Sequence, residues 1–163
     1  MGCNWLVGAT IDLSRLTCAV PTLTTMSGLE NGKYLIVFAA ASAPPPMPVG
    51  ANESGAISPV IVGGRDNVWT VFQLPNGNYT LILEQTGPRW LSQPGEDGVF
   101  VGLMPLPGEW RINGLGDNTY SIEVPSPYWP TRAWYLDSPV PGTKVLLRVS
   151  DFPAKWNFIR VDD

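Results

Sequence analysis

The stretch LENGKYLI (29–36) returns twice in altered form, as LPNGNYTL (74–81) and, more weakly, as LGDNTYSI (115–122). Each copy carries a Leu, a turn-forming pair, a Tyr and an apolar residue two positions after the Tyr. Asn-Gly and Asp-Asn tolerate the left-handed backbone of tight turns. The alternation that follows is the period of a half-buried strand. The tyrosines, Tyr34, Tyr79 and Tyr120, stand 45 and 41 residues apart. A second landmark is Trp-x-apolar, at Trp69/Val71, Trp110/Ile112 and Trp156/Phe158, with spacings of 41 and 46. Nine and seven residues before each Trp stand Val60 and Val62, Val101 and Leu103, and Leu147 and Val149. Residues two apart share one face of a strand. Two independent landmarks with one period mean that a single unit has been triplicated.

Working outward from the Tyr and Trp positions, each unit holds four short strands. The predicted set is 33–38, 47–50, 57–62 and 68–73; then 78–83, 89–92, 99–104 and 109–113; then 119–124, 132–136, 144–149 and 155–161. With 17 Gly and 17 Pro in 163 residues, no long stretch keeps a helical apolar spacing uninterrupted. The fold class is therefore all-β. Four-stranded repeats also build propellers, but those need about four blades or more, so three units predict a β-trefoil. The repeated Leu, Tyr, apolar-pair and Trp positions are expected to form its shared core. Residues 28–163 make one domain of this kind, and residues 1–27 are an N-terminal extension expected to be poorly ordered.

Composition removes several function classes. The net charge is −4 and the ten Lys and Arg are scattered. Nucleic-acid binding needs a basic stripe and is not expected. The chain has no His, and the common Ser-His-Asp and Cys-His nucleophile systems need an imidazole. Zinc sites usually use His, and two cysteines cannot supply four thiolates. No enzyme activity, cofactor or metal is expected. Cys3 and Cys18 both lie in the extension and are read as free thiols of a cytoplasmic protein. Residues 1–27 lack the basic start and unbroken apolar run of a secretory signal. No stretch is long enough to span a bilayer as a helix. The expectation is a monomer without membrane contact.

If the repeated residues are scaffold, activity belongs to the loops in which the repeats differ. The first repeat carries AAASAPPPMPVGANESGAISP (39–59). Its prolines stiffen an extended backbone, and small residues surround a single Asn in Val49-Gly50-Ala51-Asn52-Glu53-Ser54. A stiff exposed segment suits insertion into a protease cleft, because pre-organisation lowers the ordering cost of binding. Aromatics beside an Arg are enriched at interfaces, which makes Trp129 and Arg132 secondary candidates, with Arg89 beside Trp90 a third.

The framework from LENGKYLI through VWTVFQLPNGNYTL, EWRINGLGDNTYSIEV and KWNFIRV resembles the cospin-like serine protease inhibitors of mushrooms. These are small β-trefoils related in fold to the mycocypins. The resemblance covers roughly residues 28–163. It implies inhibition of trypsin-like endopeptidases through the loop between the second and third strands of the first repeat. In some members of that family an Asn enters the specificity pocket, and Asn52 matches that place. Ala51 and Glu53-Ser54-Gly55-Ala56 depart from the family pattern around it, which leaves the target protease open, a cysteine or asparaginyl protease included. The other reading is a trefoil lectin. Such lectins often carry Gln-x-Trp in each repeat, whereas here Asn67, Gly108 and Ala154 precede the three Trp residues by two.

Overall fold

The computed structural model describes residues 28–39, 46–52, 56–85, 88–128 and 130–161. The extension 1–27, the loop residues Glu53 and Ser54, and Trp129 lie outside the described residues, and with them the expectations placed there.

The described chain is all strand and turn. The first unit contains β1 (Gly32–Phe38), β2 (Val49–Gly50), β3 (Ile57–Pro59), β4 (Ile61–Val62) and β5 (Val68–Gln73). The second contains β6 (Tyr79–Glu84), β7 (Trp90–Pro94), β8 (Val99–Gly102) and β9 (Arg111–Gly116). The third contains β10 (Thr119–Glu123), β11 (Arg132–Tyr135), β12 (Leu146–Val149) and β13 (Trp156–Arg160). The thirteenth strand arises because the predicted strand 57–62 is divided at Val60, which leaves the local ladder to bond elsewhere.

The first and last strands of the units close a barrel. β1 pairs β5 and β13, β5 pairs β6, and β10 pairs β9 and β13, all antiparallel. The remaining gap, between β6 and β9, is sealed by reciprocal bonds. The Tyr79 N–H donates to the Trp110 carbonyl at 2.7 Å and the Trp110 N–H to the Tyr79 carbonyl at 2.8 Å. Closure satisfies edges that would otherwise recruit other chains. The turns obey their sequence: Asp117 and Asn118 both adopt positive φ, at 51° and 57°, in the tight turn joining β9 to β10.

The middle strands form hairpins that cap the barrel, β2 with β4, β7 with β8 and β11 with β12. Three valines join them in a ring. The Val60 N–H donates to Val99 (2.9 Å), that of Val99 to Val145 (3.1 Å), and that of Val145 back to Val60 (2.8 Å). The equivalent cap positions are therefore Val60, Val99 and Val145, and the predicted core set is corrected by two residues in the later repeats. Val101 and Leu147 are buried as expected, but Leu103 and Val149 are each 56% exposed. Counting back a fixed distance from each Trp failed because the connection before Trp69 is two residues shorter than those before Trp110 and Trp156. Leu115 is also exposed, unlike Leu29.

The core has one asymmetric centre. Trp134 is fully buried and meets Trp69, Trp110 and Trp156 edge-on, with ring centroids 6.1, 5.5 and 5.6 Å apart. Each repeat Trp directs its indole N–H to the second strand of its own unit. Trp69 reaches the Val49 carbonyl at 2.8 Å, Trp110 the Ser92 hydroxyl at 2.8 Å, and Trp156 the Trp134 carbonyl at 3.4 Å. Val49, Ser92 and Trp134 are thus equivalent positions. Two carry small side chains and the third carries a ring large enough to fill the axis for all three units.

Candidate functional site

The stem of the candidate loop is built from the inside outward. Val49 and Ala51 have no exposed surface. Val49 pairs with Val62, and Gly50 with Ile61. Ala51 exchanges two backbone bonds with Asp66, at 2.9 and 3.1 Å. The Gly63 N–H donates to the Pro48 carbonyl at 2.9 Å. Glycine is required twice, since a Cβ on Gly50 would overlap the Asp66 carbonyl oxygen and one on Gly64 would overlap the Ala51 backbone. Strand 47–50 and the 63–67 turn are therefore locked together without side chains between them.

Asn52 is where this stem reaches solvent. Its side chain is exposed, and its Oδ1 accepts the Arg65 N–H at 2.9 Å. On the far side of the loop, the Ala56 carbonyl accepts the Leu103 N–H at 3.2 Å, and β3 then pairs with β8. Both ends of the 52–56 segment are thus anchored to separate parts of the scaffold. Of the six residues assigned to the protease-binding loop, the structure places Val49, Gly50 and Ala51 in the buried stem. Strand alternation turns the Val49 and Ala51 side chains inward, and Gly50 abuts the Asp66 carbonyl. Asn52 alone of the described four is presented.

The secondary candidates separate. Arg132 is half-buried and its Nη1 donates to the carbonyls of Gly95 and Glu96, at 3.0 and 2.8 Å. It clamps the third unit onto the β7–β8 turn, so its guanidinium is engaged within the fold. Arg89 is exposed and borders a groove of about 550 Å3. The aromatic beside Arg132 that matters is Trp134, which is core. Sequence reasoning missed that role; the signal was its place in the strand equivalent to Val49 and Ser92. Among the described residues, no three Cys, Asp or Glu side chains gather to hold a metal ion.

No protein-family model and no curated protein matches the chain. Solved structures do. The ricin B-like lectin of Macrolepiota procera, in complex with lactose, superposes with a TM-score of 0.59 at 21% identity, over 83% of this chain and 100% of that one. A proteinase inhibitor from Coprinopsis cinerea gives 0.55 at 16% identity, over 82% and 100%. The designed threefold-symmetric protein ThreeFoil gives 0.59 at 21% identity, over 80% and 100%. At such identities the likeness speaks for the fold, and together with the three four-stranded units closing one barrel it makes this chain a β-trefoil.

Proposed function

We infer that this protein is an inhibitor of a serine endopeptidase of the trypsin-like kind, and that it acts by presenting Asn52 to the protease cleft. The observation that carries this reading is the contrast within four residues: Val49 and Ala51 sealed in the core, and Asn52 exposed at the end of their hydrogen-bonded stem. Asn52 itself stands on a hydrogen-bonded stem, and a contact residue held in place before binding loses less freedom on entering a cleft, so more of its contact energy appears as affinity. The fold it shares with the Coprinopsis cinerea proteinase inhibitor supports the assignment.

The test is titration of trypsin, and then of an asparagine-specific protease, with the purified chain and with Asn52→Ala. Inhibition that falls at least tenfold in Asn52→Ala is expected, matching loss of a central anchor of about 1.4 kcal/mol or more. If no protease is slowed, the reading is wrong.

The Macrolepiota procera lectin with lactose supports a second reading, a carbohydrate-binding trefoil. Trp69, Trp110 and Trp156 are fully buried, so sugar stacking in this reading falls to exposed rings such as Phe72, Tyr128 or Phe152. Specific lactose binding by calorimetry would move it to first.

A further inference from the structure

We propose that the groove bordered by Arg89 and Arg160 is a binding site for an anionic oligosaccharide, one bearing sulfate or carboxylate groups. It is separate from the loop at Asn52, and its volume of about 550 Å3 falls within the range of small-ligand sites. Its walls come from β1, β5, β6, the residue before β7 and the end of β13, and its lining is Gly32, Lys33, Thr70, Glu84, Arg89, Arg160 and Val161. Among the described residues Lys33, Arg89 and Arg160 gather here, with Glu84 in the lining and Glu30 paired to Arg160, an excess of positive charge in a chain whose net charge is −4.

The two arginines are available. Arg89 is exposed and forms no ion pair among the described residues. Arg160 pairs with Glu30 at 2.8 Å, but both side chains are more than half exposed, and such pairs are weak and screened. A guanidinium presents donors in a planar fork that fits sulfate or carboxylate oxygens. Gly32 contributes by lacking a side chain: the Arg160 guanidinium lies over it, 3.4 Å from where a Cβ would stand. The Thr70 hydroxyl is the neutral polar group of the floor, and it is bonded to Glu84.

The lining also selects the kind of anion. It has no aromatic ring, so nucleic-acid bases find no stacking platform. Among the described residues its apolar lining is Val161, a small anchor for a peptide, and the strands forming its floor are already paired on both sides. A hydroxyl-rich, charged ligand fits that surface.

The experiment is calorimetric titration of the full chain with a heparin-derived tetrasaccharide and with its desulfated, N-acetylated counterpart, at low and at physiological salt. The sulfated probe is expected to bind, and to bind more weakly as salt screens the charges. Arg89→Ser and Arg160→Ser should each weaken binding roughly tenfold, the worth of one charge-assisted bond. Glu84→Gln should tighten it, because it removes a carboxylate from the lining. Circular dichroism and melting establish that each variant is folded, and Arg89→Ser, which breaks no described pair, decides if Arg160→Ser is unfolded. Equal binding of both saccharides, or an Arg89→Ser variant that binds like the original chain, overturns the proposal.

Discussion

Trp134 offers the sharpest test of how the three units are held together. Among the described residues its ring alone touches all three repeat Trp rings, and its indole N–H is buried without a hydrogen-bond partner. These facts act in opposite directions on two substitutions. Trp134→Ala removes a fully buried ring and three edge-on contacts. Truncating a buried aromatic to Ala costs about 3–5 kcal/mol, a large share of the roughly 5–15 kcal/mol that holds a domain folded. Trp134→Phe keeps an aromatic on the axis. It loses three ring atoms, two of them carbons, or roughly 2 kcal/mol at about 0.8 kcal/mol per carbon. It also removes the unpaired N–H, whose burial costs about 1–3 kcal/mol. The two terms nearly cancel, so Trp134→Phe should lie within about 1 kcal/mol of the original protein. Urea unfolding followed by circular dichroism checks this, with the slope m held constant so that the midpoint shift reports stability. A Trp134→Phe variant as unstable as Trp134→Ala would refute the account, because the N–H would then be earning its place through a bond not seen here.

Other consequences are smaller. Gly50→Ala should destabilise the fold by about 1–3 kcal/mol, as expected of overpacking, and should weaken any inhibition carried by Asn52, because the added Cβ drives the stem off the Asp66 carbonyl; thermal melting alongside protease titration separates the two effects. The Asn78 and Asn76 amides both donate to Glu109 Oε2, at 2.7 and 2.9 Å, and hold its carboxyl below the usual carboxylate range. A depressed carboxyl stabilises the fold above its ordinary pKa, and that contribution is lost as pH falls through the depressed value. Asn78→Ala should therefore move the Glu109 titration upward toward the ordinary value of 4.5, as read by carboxyl carbon shifts in nuclear magnetic resonance. An unmoved titration would mean that the amides do not set it.

Much of the architecture was legible from the chain. The triplicated Leu-turn-Tyr pattern predicted twelve strands, and strand 68–73 falls where alternation placed it. The Asp117-Asn118 turn has the positive φ values its residues invite. These features were readable because turn chemistry and strand alternation are set by residues one to four apart. The exposure of Asn52 was readable too, but the buried stem below it was not. The predicted strand 47–50 did not show that Ala51 continues it inward, which is settled only where Gly50 meets Asp66 and Val62 pairs with Val49, thirteen or more residues away.

By itself, then, the sequence determined the fold class, the threefold plan and the absence of imidazole chemistry. Only the tertiary structure decided which residues share the axis. Trp134 fills it for all three units, Val60, Val99 and Val145 bond around it, and Arg132 turns to the Gly95 and Glu96 carbonyls. No local pattern encodes these meetings, because each depends on three units closing on one another at once, with connections of unequal length.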